Sequence, residues 1–213
     1  MTVKLIWCTP EADSILAYIA RVSNPQHQDK PVGTLFDYMM REGHTSPFTM
    51  ANMCLEVDST RDIWRQILRH WSFDFQEFSQ RYQTVEELGL FQKREARMQD
   101  LKNRQNSLPC DDLDLAEWWD AAQNTVIELV DALYKTALDK GLAKEQARAL
   151  LPEGLTPSRG YINGNFRTWI FYLKSRLHHT TQKEHREVAA LCLEIFREVA
   201  PITAEAFFPI YKD

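Results

Sequence analysis

From the amino terminus onward, the apolar positions change period in a way that divides the chain into short strands and longer helices. Residues 3–8, Val-Lys-Leu-Ile-Trp-Cys, read as a strand closed by Thr9-Pro10, after which Ile15, Leu16, Ile19 and Val22 recur at helical spacing. A second helix is predicted from Val32 to Arg41, with Leu35, Phe36 and Met39 on one face and Gly43 placed to cap its end. His44-Thr45-Ser46-Pro47 reads as a loop. From Met50 to Val57 the pattern alternates, Ala51, Met53, Leu55 and Val57 against Met50, Asn52, Cys54 and Glu56, as in a half-buried strand. Asp58-Ser59-Thr60 ends it and can cap a helix over 61–70 that turns Ile63, Ile67 and Trp64 inward. Residues 71–82 show no single period and read as irregular backbone. Residues 86–108 are polar, with a surface loop over 102–107 as the softest part of the chain. The longest helix, 112–139, carries Leu115, Trp118, Trp119, Ala122, Val126, Leu129, Val130 and Leu133 at core-helix spacing. Further helices are predicted over 143–151, 163–178 and 182–199, the last with Val188, Leu191, Cys192, Ile195 and Val199 on one stripe before Pro201. A few strands among many helices give an α+β (mixed α/β) class, with a small antiparallel-type sheet in a single domain over residues 1–213.

With 213 residues, 44% hydrophobic and only 7 Gly and 9 Pro, the chain is neither collagenous nor disordered and can bury a sizeable core. A net charge of −5 argues against a coat for nucleic-acid polymers or an anionic membrane, although a local arginine cluster can still hold a phosphate. Cys8, Cys54, Cys110 and Cys192 are widely spaced, which fits reduced thiols in a cytoplasmic protein better than a disulfide frame or a metal site. The start of the chain has no leader pattern, and nowhere do 18 apolar residues follow one another.

Neither glycine-rich phosphate loop, G-x-G-x-x-G or G-x-x-x-x-G-K-[ST], is present, so a nucleotide would need another grip. Arginine supplies one, because its planar fork binds phosphate bidentately and keeps its charge. The densest candidate is the run from Gln66 to Tyr82. Gln66 and Arg69 lie three apart at a predicted helix end and share a side; Ser79 and Arg81 share a side if extended. Plainer readings stand beside these. Arg69 could pair with an acid, Glu77 with Arg81, and the phenylalanines could be core. His44 and His70 could be ordinary loop or helix-end residues. His178, His179 and His185 read as solvated, Trp118-Trp119 and Phe171-Tyr172 as core, and Lys144, Lys174 and Lys183 as surface.

Arg69-His70-Trp71, seven residues, then Ser79-Gln80-Arg81 resembles the Arg-His-Arg-x7-Ser-x-Arg signature of the flavin-dependent thymidylate synthases. His44-Thr45-Ser46-Pro47-Phe48, Gln66, the run from Leu101 to Asn106, Ala147 to Pro152, Asn165-Phe166-Arg167, Arg176 and Gln182-Lys183-Glu184 follow at family-like spacing, over about residues 40–200. The resemblance implies a homotetramer with shared sites that hold FAD. It implies dUMP or a related pyrimidine nucleotide, methylene-tetrahydrofolate and NADPH as substrates, reductive methylation at C5 of uracil with a hydride from reduced flavin, and no cysteine nucleophile. Carried over, Gln66, Arg69, Glu77, Phe78, Ser79, Gln80, Arg81 and Arg148 correspond to nucleotide-holding positions, and Arg176 to the arginine that lies against the uracil ring. His44, Ser46, Arg69, His70, Trp71, Glu77, Asn165, Arg167 and Phe171 correspond to flavin-side positions.

The pattern also departs from the family. Trp71 replaces an arginine, Asp74 a common serine, Phe171 and Thr180 an asparagine and a histidine, and Thr49-Met50 a Glu-His pair. These changes cluster on the flavin side. They leave two further readings open: a variant acting on another pyrimidine such as dCMP, its exocyclic amine received by Asp74, or hydroxymethylating its nucleotide; and a non-catalytic relative whose arginines bind a nucleotide or brace an oligomer.

Overall fold

The computed structural model describes residues 1–89 and 91–210. Its centre is a four-stranded antiparallel sheet in the order β1 (Thr2–Cys8), β2 (Asn52–Thr60), β6 (Pro157–Asn165), β3 (Asp74–Glu77). β2 and β6 pair along their whole length, from Asn52 opposite Asn165 to Thr60 opposite Pro157, while β3 covers only Asn163 to Gly160 at the edge. Helices α1 (Ala12–Ala20), α2 (Leu35–Arg41), α3 (Arg61–Ile67), α6 (Phe166–Arg176), α7 (Lys183–Val199) and α8 (Pro201–Phe207) surround a core with Leu55, Val57 and Ile162 from the sheet and Leu16, Phe36, Trp169, Val188 and Phe196 from the helices. Helix α4 (Leu113–Asp139) and the short α5 (Lys144–Ala147) share a separate small core of Val85, Tyr134, Ala137 and Ala147. Strands β4 (Arg97–Gln99) and β5 (Ser107–Pro109) form a hairpin of their own. The mixed class and small antiparallel sheet are therefore as expected. Among the described residues, no helix is long and apolar enough to cross a membrane.

Local chemistry accounts for several boundaries. Gly43 takes φ +71° after α2, and the N–H of His44 reaches back to the carbonyl of Met39 at 2.8 Å, the capping role its position suggests. Asp112 and Asn165 cap α4 and α6 by accepting from the N–H of Leu115 and Thr168, both at 3.0 Å. Helix α8 borrows its cap: buried Asp13 of α1 accepts from the N–H groups of Ile202 and Thr203 at 2.8 and 3.1 Å. Gly160 leaves room for the Trp64 ring, and a Cβ there would also lie 2.8 Å from the carbonyl oxygen of Gln76 on β3.

Other expectations need correction. Residues 74–77 are a strand, because Phe75 and Glu77 turn toward the protein while Asp74 and Gln76 face solvent, a period-two pattern too short to stand out among so many aromatics. Ser79 and Arg81 are not extended; they sit in a turn closed by the N–H of Tyr82 on the carbonyl of Ser79. The helix expected from residue 163 begins at Phe166, since strand β6 occupies the preceding nine residues. Helix α3 stops at Ile67 rather than residue 70, and α5 gives way at Arg148 to a 3-10 turn. The 44–47 loop leads into a 3-10 turn over Ser46–Met50. β2 continues through Asp58 and Ser59 to Thr60, whose hydroxyl meets the carboxylate of Asp62 instead of a helix N–H. The polar stretch 86–108, apart from residue 90, which lies outside the described residues, contains the β4–β5 hairpin. Helix α8 was not anticipated. Helix α4 is not a core helix: Trp118, Val126, Leu129 and Leu133 are exposed.

Candidate active site

The ends of α3 and α6 converge on a polar chain. Arg176 in the last turn of α6 donates from Nε to Nε2 of His70 at 2.8 Å, and it makes no ion pair among the described residues. Burial and the neighbouring Arg176 and Arg69 push His70 down to about 4, so its ring is neutral near pH 7 and Nε2 is free to accept. Behind it, Tyr172 stands edge-on to the His70 ring with centroids 5.0 Å apart. The Tyr172 hydroxyl lies 3.2 Å from Nε2 of His185, and Nδ1 of His185 lies 3.2 Å from Oε1 of Gln66. Gln66 donates from Nε2 to Gln182 at 2.6 Å, and Gln182 to Glu184 at 2.9 Å. With His185 neutral, pushed down to about 3 by burial and by Arg176, each link donates toward the Glu184 carboxylate. Burial alone would raise Glu184, but hydrogen bonds from Arg97 and Gln182 and the charge of Arg94 hold it down to about 2. Arg94 also donates to Asp62 at 2.8 Å.

A second cationic group lies beyond the other end of β3. The Glu77 carboxylate accepts from Ser158 Oγ at 2.8 Å and pairs with Arg61 at 3.4 Å, not with Arg81. Arg81 pairs instead with Glu145 of α5 at 3.3 Å, and Arg148 closes on the Glu145 carbonyl at 3.3 Å. Gln80 is buried, and its side-chain Nε2 has no partner. Phe78 is half-buried, its N–H donated to the Arg159 carbonyl at 2.8 Å. The structure thus gathers Gln66, Arg69, His70 and Arg176 before β3, and Glu77, Ser79, Gln80, Arg81 and Arg148 after it, as two groups.

The flavin-side positions lie mostly at one end of the sheet. Ser46 opens the 3-10 turn that runs into β2, and the N–H of Phe166 bonds the Ala51 carbonyl at 2.9 Å, which places Asn165 and Arg167 beside that turn. The Arg167 guanidinium lies 5.6 Å from the centre of the Phe171 ring, itself 51% exposed and not core. Trp71 is 90% exposed, and His44 stands edge-on to Tyr38. Neither Arg69 nor Arg167 has a carboxylate partner among the described residues. Unneutralised guanidinium groups and exposed flat rings fit a group that has both a ring system and phosphates.

Sequence reasoning missed Tyr172, His185, Arg94 and Arg97. His185 is fully buried rather than solvated, because α7 turns it inward beside Val188 and Cys192. Lys183 is half-buried and pairs with Glu95 at 2.5 Å. Gln182 and Glu184 stood in a family-like run, but their link to Gln66 spans 116 residues and leaves no periodic trace.

Comparison with known proteins shows the family and the fold. The family described as thymidylate synthase complementing protein matches residues 4–202. The flavin-dependent thymidylate synthase of Synechocystis sp. is 46% identical over 91% of this chain and 88% of its own length. A probable flavin-dependent thymidylate synthase of Paramecium bursaria Chlorella virus 1 is 45% identical over 92% and 90%. The chain belongs to the flavin-dependent thymidylate synthase family. As a member it is an enzyme, a methyltransferase. Its fold is similar to that of a solved UMP/dUMP methylase, PolB of Streptomyces cacaoi, bound with 5-Br dUMP, with TM-score 0.82 and 25% identity over 97% of this chain and 93% of that one. A second PolB structure, bound with 5-Br UMP, gives TM-score 0.80 and 26% identity over 97% and 92%.

Proposed function

We propose that the chain methylates C5 of dUMP to give dTMP, with FAD as cofactor and methylene-tetrahydrofolate and NADPH as co-substrates, as a single-domain subunit of a homotetramer. The observation that carries the reading is Arg176: a half-buried guanidinium, oriented by a neutral histidine and free of any carboxylate among the described residues. Such a fixed cation stabilises negative charge that develops on a neighbouring ring, which raises electron density at C5 of uracil. Arg69, Arg81 and Arg148 hold the phosphate with bidentate forks, Ser79 and the unpartnered Gln80 amide add donors, and Gln66, Glu77 and Phe78 complete the wall. His44, Ser46, His70, Trp71, Asn165, Arg167 and Phe171, with Arg69 and Glu77, would hold the flavin. When bound, reduced flavin supplies the hydride that completes the methyl group. Burial raises Cys8 to about 11 and also raises Cys54 and Cys192, which disfavours a thiolate at these three positions.

The two cationic groups flank β3, one on the Asp74 side and one on the Glu77 side. The exposed apolar stripe of α4 offers the surface through which copies assemble and each group completes a partner's site. Tritium release from C5-labelled dUMP in the presence of FAD, NADPH and methylene-tetrahydrofolate tests the reading. Arg176→Ala should lower kcat by about 10²–10³-fold with an unchanged melting temperature. If the unaltered protein releases no tritium, the assignment fails.

A further inference from the structure

The imidazole of His185 is fully buried on the face of α7 that also carries Val188 and Cys192, yet both of its ring nitrogens have polar partners. Packing alone would be served there by an apolar side chain. The sense of the hydrogen bonds around it follows from Glu184. Held ionised by Arg97 and Arg94, that carboxylate only accepts, so Gln182 turns its amide nitrogen toward it and its Oε1 toward Gln66. The Gln182 oxygen takes a hydrogen from the Gln66 amide, which leaves Oε1 of Gln66 facing His185. His185 therefore carries its proton on Nδ1, and its bare Nε2 accepts from the hydroxyl of Tyr172. The amide of Gln66 is thus gripped at both ends, and the terminal torsion of a glutamine, soft by itself, is fixed by the pair of contacts. Gln182 alone would leave the amide free to swing. Gln66 is half-buried in the last turn of α3, and its second amide hydrogen has no acceptor among the described residues. His70, which accepts from Arg176, follows it four residues later.

We propose that His185 is a positioning residue for the reaction: by holding Oε1 of Gln66 it keeps that amide fixed, with the remaining N–H turned to an oxygen of the bound pyrimidine nucleotide. Tyr172, by donating to Nε2, keeps His185 in the tautomer that does so. With no exposed surface, His185 reaches no ligand itself and acts through Gln66. The inference rests on the dUMP reading and deepens it, since Gln66 stands there in the wall around the nucleotide. A contact made alike in bound substrate and transition state strengthens binding without speeding the step that follows, so its loss appears in KM and not in kcat.

Calorimetric titration of FAD-loaded protein with dUMP, together with steady-state kinetics, tests it. His185→Leu should raise Kd and KM for dUMP about fivefold, the worth of one hydrogen bond, with kcat within about twofold of wild type. His185→Gln, which reaches Tyr172 but not Gln66, should raise them as much, and carries the test if His185→Leu does not fold. His185→Asn, whose side-chain nitrogen stands in for Nδ1–H, should restore most of the affinity. The deciding comparison is a double variant. Gln66→Ala should weaken dUMP about tenfold, and adding His185→Leu or His185→Gln should weaken it no further, because the two residues act as one unit. Losses that add in the double variant overturn the proposal, as does a Gln66→Ala protein that binds dUMP like wild type. So does a defect of the His185 variants confined to melting temperature and kcat at unchanged KM. Failure of the dUMP reading registers separately, as no dUMP binding by unaltered protein, and the proposal falls with it.

Discussion

Helices α4 and α7 carry the same kind of apolar spacing and meet opposite fates. In α7, Val188, Cys192 and Phe196 are fully buried against the sheet layer, with Phe166 packed edge-on to Phe196 at 4.9 Å. In α4, Leu129 is 59% exposed, and of its 27 residues only Gln123, Tyr134 and Ala137 are buried. Periodicity states that a face must be covered; it is silent on whether the cover comes from the same chain. The polar groups show a related contrast. The hydrogen-bonded relay of Tyr172, His185, Gln66, Gln182 and Glu184 is largely buried, and burial keeps His185 neutral. Arg81 and Glu145, by contrast, form an exposed pair of the kind that contributes little to stability.

The contrast is testable first through the core. Phe196→Ala should cost about 3–5 kcal/mol in denaturant unfolding, at any protein concentration, because it opens a cavity inside one subunit. A loss below about 1 kcal/mol would mean that α7 is not the buried helix described. Paired Leu129→Glu and Leu133→Glu exchanges should act differently: a shift to smaller species in light scattering, by tenfold or more in apparent subunit affinity, and a stability loss that depends on protein concentration. An unchanged assembly with full activity would remove α4 from the interface.

A third expected effect is pH-dependent. His70 and His185 titrate at about 4 and 3 in the folded chain against about 6.5 when unfolded, so the unfolded state binds more protons between those limits. Their contribution is complete above about pH 6.5 and is lost as pH falls toward 3. Glu184, held at about 2, adds a further loss below about pH 4.5. His185→Gln should flatten the unfolding free energy between pH 6.5 and 4 relative to wild type. An equally steep profile would show that His185 is not held neutral.

Much of this protein was readable from its residues because the signals involved are local. The alternation from Ala51 to Val57, the helical stripe of α7, the Gly43 cap and the Arg69-to-Arg81 spacing each arise from backbone period or from a motif within a few turns. Strand β3 and strand β6, whose last three residues lie in the expected 163–178 helix, escaped, since a four-residue edge strand is too short to show a period and β6 carries Gly160 and Gly164, which interrupt its apolar pattern. The tertiary structure alone could decide that Gln66 meets Gln182, that Arg176 leans on His70, that Glu77 joins Arg61, and that α4 leaves its stripe open. These pairings join groups from 16 to 116 residues apart and follow, like the open face of α4, from how layers close over one another, a property that no window of neighbouring residues contains.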